Sequence, residues 1–478
     1  MTKTLVFAPI AQREVDFYLA LIPEILADQP GTRFEFISFY QPGNAQIRKA
    51  GHPCHDIFEE ARAQTARRGP DWKDWAEASA HYESEFGLGN MQRLILHEKV
   101  TFNLHDDAVL LDKFARYLDA HLAIVDRIAQ SAGGPERVAI LQELGGFIAP
   151  LSLYFAAKKR GIRHVFFEPA FFKGRTHFVL DRLSSIEVDL SGSAREEPDA
   201  VAYLEQARRQ KTTVIPKKDR HHFREMSLSK IANLTNASKL GRKLKHKYWD
   251  RQQQEYDQIL NHSLRAGRMY LNRKLNTTLY SSFSDSLKSA PYVYFPFHVQ
   301  ADYSLTVRSP EYLDQLGVVR YLADVLPAGF NLLIKEHPAS IGGYRRDQLA
   351  PLLDAHPNLK ILHPSTSSYD VLEAARAVVT INSKVGAEAL MFGKPVIALG
   401  DSFYSASGLV QKASGLKDLE ARVSATLRHD VATFKNEKLV DFFSRLWRES
   451  VPAELYDLQS PNVQAFSRSI SQYLGRVN

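Results

Sequence analysis

Polar side chains that can bind an anion or move a proton follow short apolar runs in the C-terminal half of the sequence. An imidazole can donate to a phosphate near neutral pH, and the unpaired N–H groups at a helix start can hold an anion. One turn further along such a helix, a carboxylate can accept from a ribose hydroxyl. These residue types in this order predict a nucleotide site, with the candidates Lys335, Glu336, His337, Pro338, Ser365, Ser367, Asn382, Ser383, Gly386 and Glu388.

Each of these residues also has an ordinary structural interpretation. A histidine beside a proline, such as His337 before Pro338, is usually a loop residue. A serine before a helix, such as Ser383, is usually an N-cap. The prediction of a site therefore rests on their joint placement at the ends of successive predicted strands.

Two carboxylates follow predicted strands in the N-terminal half. The strand Val138–Leu141 leads into Glu143 and a glycine pair, and the strand His164–Phe167 leads into Glu168. Two acids at neighbouring strand ends, facing a cleft, can divide the work of nucleophile and base. We rank Glu143 first because the glycine pair has no evident purely structural role, Glu168 second, and Asp181 and Asp189 as weaker candidates.

Further candidates for contacts to a sugar or an acceptor are Arg13, Gly145, Arg175, His177 and Tyr404. Arg175 has a planar fork that can clamp a sugar carboxylate, which lysine cannot match. Alternatively, Glu168 pairs with Arg175 or with Lys173. For Arg13, a ligand contact and a helix-capping or surface role both remain open.

The elements that position these residues alternate between strand and helix. In the C-terminal half, apolar runs at Asn331–Ile334, Leu359–Leu362, Ala377–Ile381 and Pro395–Leu399 predict buried strands, with helical spacing between them. Such alternation is typical of a parallel, doubly wound sheet that binds ligands beyond the carboxyl ends of its strands. The run 290–295 opens this half, and the residues after it add His298, Gln300 and Asp302 as candidate contacts to phosphate, sugar or base.

The N-terminal half begins with the same alternation, which predicts a second Rossmann-like unit. Its first loop lacks the GxGxxG pattern, so a dinucleotide cofactor has no support. Residues 60–135 read as a helical insert. We therefore predict an α/β fold with two Rossmann-like domains facing a cleft, at 1–285 and 286–445, followed by helices at 446–478 that cross back to the first domain.

Composition narrows the class of protein. The 478 residues allow two cores of ordinary size, and the single cysteine, Cys54, excludes an internal disulfide framework. His105-Asp106-Asp107 has no further ligand at suitable spacing, so no metal site is predicted. No apolar run is long enough for a signal peptide or a membrane span, which predicts a cytoplasmic protein.

Positive charge is concentrated between residues 208 and 251, where fourteen Lys or Arg stand against three Asp or Glu. Such a stretch suits anionic lipid headgroups, an acidic glycan or nucleic acid, and a solvated basic helix is the alternative. Nucleic acid ranks low because no nucleic-acid-binding motif accompanies the charge.

The sequences KEHP and INSKVGAEALMFGKPVIALGDSFY resemble the capsule polysaccharide biosynthesis family. That family includes retaining Kdo transferases, which use CMP-Kdo and have a GT-B-like fold. The resemblance implies that His337-Pro338 and Ser383 contact the nucleotide of the donor. It also implies double displacement on an N-terminal carboxylate; if that group is strictly an aspartate in the family, Glu143 would instead be a base or bind a hydroxyl.

We therefore expect a glycosyltransferase of capsule or surface polysaccharide assembly that needs no metal or cofactor beyond its nucleotide-sugar donor, with Kdo from CMP-Kdo favoured. The expected partners are a glycan or lipid-linked acceptor and, through 208–251, an anionic inner membrane. One alternative is an isomerase resembling the non-hydrolysing UDP-sugar 2-epimerases, whose Ser-x-x-x-x-Glu arrangement matches Ser383 and Glu388. Another is a non-catalytic protein of polysaccharide assembly or export.

Overall fold

The computed structural model describes residues 4–68, 75–191, 195–211, 234–256, 258–428 and 436–476. Two seven-stranded sheets organise these residues, in the orders β14-β6-β5-β4-β1-β2-β3 and β13-β12-β11-β8-β9-β10-β7. The strands are β1 Thr4–Phe7, β2 Arg33–Ser38, β3 Cys54–Asp56, β4 Val138–Glu143, β5 Arg163–Pro169, β6 Thr176–Leu180, β7 Tyr280–Ser281, β8 Tyr292–Pro296, β9 Asn331–Lys335, β10 Leu359–Leu362, β11 Ala377–Thr380, β12 Val396–Ala398, β13 Gln411–Lys412 and β14 Ser450–Val451.

Helices connect the strands and cover the sheets. They are α1 Gln12–Asp28, α2 Gln41–Lys49, α3 Ile57–Arg68, α4 Trp75–Phe86, α5 Met91–Leu94, α6 Leu96–Phe102, α7 Asp107–Ala132, α8 Ile148–Lys159, α9 Pro198–Gln210, α10 Leu234–Leu244, α11 Ile259–Leu275, α12 Asp285–Ser289, α13 Tyr303–Thr306, α14 Gln315–Val325, α15 Arg346–Ala355, α16 Ser368–Ala374, α17 Lys384–Met391, α18 Leu416–Arg428, α19 Asn436–Arg448 and α20 Ser460–Arg476.

The predicted fold class is confirmed: two doubly wound, Rossmann-like sheets form a GT-B-like α/β protein. Strands β1, β4, β8 and β11 are mainly apolar and buried except for Glu143 at the end of β4, as expected for parallel strands covered by helices on both faces. All pairs in the second sheet are parallel. The first sheet is mixed, because β6 runs antiparallel to β5 and β14 antiparallel to β6.

The sequence pattern missed both antiparallel strands and shifted several boundaries. The third strand is short and comprises only Cys54–Asp56. The strand expected at His164–Phe167 continues to Pro169, so Glu168 is the second-to-last residue of the strand. Strand β7 joins the second sheet although it precedes the predicted domain boundary at 285.

The C-terminal helix α20 lies on the first unit. Ser467 donates from its hydroxyl to the Leu21 carbonyl at 3.3 Å, and the Gln29 amide donates to the Ser471 carbonyl at 3.3 Å. The Phe466 ring meets Phe17 edge-on at 5.0 Å. The chain therefore returns from the second sheet to the helix with which it began.

Within the described residues, no helix combines the length and the apolar character needed to cross a bilayer. Much of the basic stretch 208–251 lies outside the described residues, since 212–233 are not among them. Its described remainder comprises the end of α9, α10, a π-helical turn at Lys245–Trp249 and the residues up to Arg251.

Candidate functional site

Both sheets reverse their strand order next to a central strand, and polar residues collect at these two points. In the first sheet β1 pairs with both β2 and β4, and in the second β8 pairs with both β9 and β11. Open α/β sheets bind ligands beyond the carboxyl ends of the strands at such reversals. We call the two groups of residues the N-terminal edge, after β1 and β4, and the C-terminal edge, after β8, β9 and β11.

A buried lysine and a buried glutamate face each other at the C-terminal edge. Lys335 ends β9, and its ammonium donates to the Thr366 carbonyl at 2.7 Å. Burial lowers the pKa of Lys335 to about 8, although the charge of Glu388 acts in the opposite direction. Burial raises the pKa of Glu388, against a hydrogen bond at 3.2 Å from the Tyr369 hydroxyl. The edge therefore carries a cation that an anionic ligand would stabilise.

Ser383 is the N-cap of α17, as its ordinary interpretation predicts. Its hydroxyl accepts from the Val385 N–H at 3.2 Å, and its carbonyl accepts from the Gly386 N–H at 3.0 Å. Two N–H groups of this helix start are thus satisfied within the protein. The Ser383 hydroxyl can still donate its own hydrogen to a ligand, because accepting a bond does not use it.

Tyr404 is fully buried and supports the Ser383 loop, so it does not offer the acceptor contact expected from the sequence. Its hydroxyl donates to the Ser383 carbonyl at 2.6 Å. A Cβ on Gly386 would lie 2.4 Å from that hydroxyl oxygen. Gly386 is therefore required for the close approach of Tyr404 and not for a ligand.

His337 follows β9 and caps a short 3₁₀ turn, Pro338–Ser340. Its Nδ1 accepts from the Ala339 N–H at 3.1 Å, so the neutral ring carries its proton on Nε2. Glu336 beside it is buried and accepts from the Tyr280 hydroxyl at 2.6 Å and from the Gly342 N–H at 3.0 Å. Glu336 therefore holds the loop together, while His337 has a defined tautomer at the edge.

Several other candidates of the C-terminal half also serve the loops that surround the edge. The His298 Nε2 accepts from the Asn382 N–H at 3.1 Å, and burial lowers the pKa of His298 to about 4, so it is neutral. The Asn382 amide donates to the Ser304 carbonyl at 2.6 Å. Asp302 and Ser367 are N-caps of α13 and α16, Ser365 hydrogen-bonds His363 at 2.6 Å, and Gln300 is half-buried.

The N-terminal edge is built around Glu143 at the end of β4. The Tyr456 hydroxyl donates to the Glu143 carboxylate at 2.5 Å, and the Arg13 guanidinium lies 3.7 Å from the same oxygen. Arg13 also lies over the Tyr456 ring, 4.8 Å from its centre. Burial raises the pKa of Tyr456 well above its ordinary value, and the neighbouring carboxylates Glu14 and Glu143 add to this. The hydroxyl therefore stays protonated and acts as a donor to Glu143.

The sequence did not single out Tyr456, Tyr18 or Tyr256 at this edge. Tyr456 comes from the chain just before α20 and has a left-handed backbone with φ of 65°. Burial is the largest contribution to the raised pKa values of Tyr18 and Tyr256, followed in both by the charge of Glu14. A tyrosine more than 300 residues from Glu143 gives no local sequence signal, and only the return of the C-terminal segment brings it there.

Glu168 is held in an ion pair that joins the two halves. Its two oxygens accept from the two terminal nitrogens of Arg308 at 2.7 and 2.9 Å. Burial acts to raise the pKa of Glu168, but the charge and hydrogen bonds of Arg308 outweigh it, so the pKa is lowered. The pairing with Arg175 or Lys173 considered from the sequence is wrong. A carboxylate with both oxygens held in this way is a brace between the halves and a poor nucleophile.

The remaining N-terminal candidates anchor the C-terminal segment or pack in the core. Arg175 donates to the Ser450 hydroxyl at 2.7 Å and lies over the Trp447 ring at 4.2 Å. His177 is buried beside β5, with its Nδ1 3.4 Å from the Glu449 carbonyl. Gly145 has open space around it apart from Pro150 at 3.8 Å.

The glycine pair after Glu143 does have a structural role, contrary to the reasoning that ranked Glu143 first. A Cβ on Gly146 would lie 2.5 Å from the His97 ring, and His97 in turn hydrogen-bonds Thr306 at 2.8 Å. Glu143 is still the better candidate for the reacting carboxylate, because Arg308 occupies both oxygens of Glu168.

The other acids do not join either edge as reacting groups. Asp181 accepts from the His164 N–H at 2.7 Å, and Asp189 accepts from the Ser191 N–H at 2.8 Å. Asp106 is the N-cap of α7, and Asp107 pairs with Lys99. Among the residues that the structure describes, no group of three His, Cys, Asp or Glu side chains is arranged to hold a metal ion.

Loops from the two edges contact one another. Lys384 donates to the Ala170 carbonyl at 3.0 Å, directly after β5, and the Tyr303 hydroxyl donates to the Leu183 carbonyl at 2.6 Å. The Ser185 N–H donates to Asp401 at 2.7 Å. The loops of the two sheets therefore meet at these contacts.

A family model described as capsule polysaccharide biosynthesis protein matches residues 152–434, which is more than half of the chain. The chain belongs to the capsule polysaccharide biosynthesis protein family. The matched region runs from α8 to the end of α18 and contains the whole C-terminal edge, together with Glu168 and Arg308. Glu143, Arg13 and Tyr456 lie outside it.

This family member shares a shorter stretch with Protein FixF of Sinorhizobium fredii (strain NBRC 101917 / NGR234). The two are 35% identical over 136 residues, which are 28% of this chain and 32% of that protein. The match thus spans about a third of the length of that relative.

The chain is also similar to solved structures, and two of the similar ones are enzymes with different activities. KpsC of Thermosulfurimonas dismutans, a beta Kdo 2,4 transferase, is 15% identical, with a TM-score of 0.36 over 66% of this chain and 80% of that one. The UDP-GlcNAc 2-epimerase of Methanocaldococcus jannaschii is 10% identical, with a TM-score of 0.26 over 99% of this chain and 100% of that one. Likenesses of this size do not distinguish a transferase from an epimerase.

Proposed function

We propose that this protein is a glycosyltransferase of bacterial capsule or surface polysaccharide biosynthesis. It moves a sugar from a nucleotide-sugar donor to a glycan or glycolipid acceptor, in the cytoplasm at the inner face of the membrane. Family membership supports the role in capsule assembly. The observation that carries the transferase is the meeting of two edges, one with the buried cation Lys335 and the other with the carboxylate Glu143.

The C-terminal edge suits the nucleotide. A bound phosphate would favour the protonated, positively charged form of Lys335, whose pKa burial lowers to about 8. The Ser383 hydroxyl and His337 supply hydrogen-bond donors at the same edge. Glu388 is the acceptor for a ribose hydroxyl. These groups neutralise the leaving phosphate without a divalent cation, so transfer should survive addition of a chelator.

The N-terminal edge suits the reacting sugar and the acceptor. Glu143 is the carboxylate we assign to nucleophile or base work, because a hydrogen bond from Tyr456 and the nearby Arg13 guanidinium orient it. Glu168 braces the two halves. Kdo from CMP-Kdo is the favoured donor, since His337-Pro338 and Ser383 match the family motif at the donor nucleotide.

The test is a donor assay with CMP-Kdo, UDP-sugars and GDP-sugars, each with and without a lipid-linked glycan acceptor. Release of CMP from CMP-Kdo that depends on the acceptor, and that falls at least a hundredfold in Glu143→Gln, supports the proposal. Conversion of a UDP-sugar without any acceptor would favour an epimerase instead. If no donor is consumed while nucleotides still bind, the result would favour a non-catalytic protein of polysaccharide assembly or export.

A further inference from the structure

Helices α10 and α11 carry large apolar side chains on the outside of the protein. On α10 and the π-helical turn after it, Leu240, Leu244 and the aromatic pair Tyr248 and Trp249 are exposed, with 69% and 86% of the two aromatic residues accessible. Exposed aromatic and aliphatic groups in such numbers mark an interaction site. We call the outer faces of Leu234–Trp249 and Ile259–Leu275 the α10–α11 surface.

The apolar residues of α11 form one stripe. Their spacing follows the helical repeat, so they share a face: Leu260, Leu264, Leu271 and Leu275. The opposite face attaches the helix to the first unit, since Arg265 donates to the Thr101 carbonyl at 3.2 Å and His262 meets the Phe102 ring at 5.2 Å. The leucine stripe is therefore directed away from the protein to which the helix is fixed.

The same surface is strongly basic. Residues 234–275 contain ten Lys or Arg and three Asp or Glu, and of the ten, Arg265 lies on the attached face and does not add to the surface charge. One of these acids, Glu255, is buried and paired with Lys113 at 2.8 Å, so it does not offset the surface charge. Burial lowers the pKa of His262, and the charges of Lys243 on α10 and Arg265 contribute, which reflects how close the two helices lie.

The segment between the two helices lies against the N-terminal edge. Gln254 forms a β-bridge with Tyr40, and the Glu255 N–H donates to the Phe39 carbonyl at 3.2 Å. The Tyr256 ring then meets Phe147 at 4.7 Å, next to the residues that follow Glu143. The α10–α11 surface is thus directly connected to the edge at which an acceptor would react.

We propose that the α10–α11 surface docks on a bilayer of anionic phospholipid, with Tyr248 and Trp249 at the level of the headgroups. Aromatic side chains with a polar end prefer that level, and neighbouring Lys and Arg side chains attract the negative headgroups. Leucines beside them enter the boundary with the acyl chains. The proposal stands independently of the glycosyltransferase assignment, because docking needs no reaction.

The test is flotation of the full-length protein with vesicles of phosphatidylcholine alone or with about one third phosphatidylglycerol. The protein should float with the anionic vesicles only and be released as salt is raised. Replacing Tyr248 and Trp249 together by Ser should weaken binding about tenfold. Replacing Arg242 and Lys245 by Gln should weaken it about fivefold for each charge removed.

Matched controls lie elsewhere on the surface. Val109→Ser removes an exposed apolar side chain, 60% accessible, on α7, and Lys412→Gln with Lys417→Gln removes two exposed charges from the second half. These variants should bind vesicles as the wild type does. Vesicle binding that is absent, or that all variants retain equally, would overturn the proposal.

Two further results would also overturn it by assigning the surface to another occupant. Binding to a soluble polyanion such as heparin that depends on the charges, with no effect of Tyr248→Ser and Trp249→Ser on vesicle flotation, would identify an acidic polymer as the ligand. A dimer in sedimentation velocity that Leu264→Ser and Leu271→Ser dissociate would identify a second copy of the chain.

Discussion

Replacing Arg308 by Met should destabilise the protein by about 3 kcal/mol. The side chain is 5% exposed and that of its partner Glu168 is 26% exposed. Loss of one member of a buried ion pair costs about 3–5 kcal/mol, and partial exposure of Glu168 places this pair at the lower end. The Leu183 carbonyl, which accepts from the Arg308 Nε at 3.0 Å, also loses that donor and keeps only the Tyr303 hydroxyl at 2.6 Å. Urea unfolding followed by tryptophan fluorescence measures the change.

A double-mutant cycle separates the ion pair from general damage. Glu168→Gln with Arg308→Met should lose less than the sum of the two single variants, because neither partner is then left charged and alone. The matched control is Arg93→Met, which breaks the exposed pair with Glu311 at 3.4 Å and should cost less than about 1 kcal/mol. Additive losses, or a loss in Arg308→Met no larger than the control, would refute the role of this pair as a brace.

Three other perturbations test the two edges and the core. Nucleotide affinity should fall as pH rises through about 8, because the lowered pKa of Lys335 makes it lose its charge there, and calorimetry on Lys335→Met should show no such dependence. Gly386→Ala should weaken nucleotide binding at least tenfold by displacing Tyr404, while an unchanged dissociation constant would show that the loop adapts. Burial and the charge of Glu255 raise the pKa of Glu98 to about 8, although Lys113 acts in the opposite direction, so wild type loses the stabilising protonated form of Glu98 as pH rises. The free energy of unfolding of Glu98→Gln should therefore increase relative to that of wild type as pH is raised from acidic to alkaline values. A difference between the two proteins that does not change with pH would contradict this.

The second sheet could be predicted from sequence because its signals are local. Each of its main strands is a short apolar run between helix-forming segments, and Leu359–Leu362 has the predicted bounds. Parallel strands that are buried on both faces are nearly continuous apolar runs, and such runs are easy to locate in the sequence. Strand β14 was missed because its pairing with β6 joins Val451 to Thr176, far apart in sequence. Strand β6 was missed although its other partner, β5, directly precedes it in the chain.

The candidate site was less predictable because the role of each side chain depends on contacts with residues distant in sequence. Residue types at strand ends located the two edges, but they did not reveal which side chains face a ligand and which support a loop. Glu336 and Tyr404 are polar groups that the fold uses for its own hydrogen bonds. Tyr456 and Arg308, by contrast, act on Glu143 and Glu168 from distant parts of the chain, so no spacing rule could find them.

The central claim, that the C-terminal edge binds the nucleotide of a sugar donor, is tested most directly by calorimetry with CMP, CDP, UDP and GDP. Wild type should bind CMP in preference to the others, and His337→Ala should lose that binding while retaining its fold. The control Ser365→Ala, at the rim of the same edge, should bind nearly as wild type does. Preference for UDP or GDP would contradict the CMP-Kdo assignment, and no binding of any nucleotide would contradict the claim as a whole.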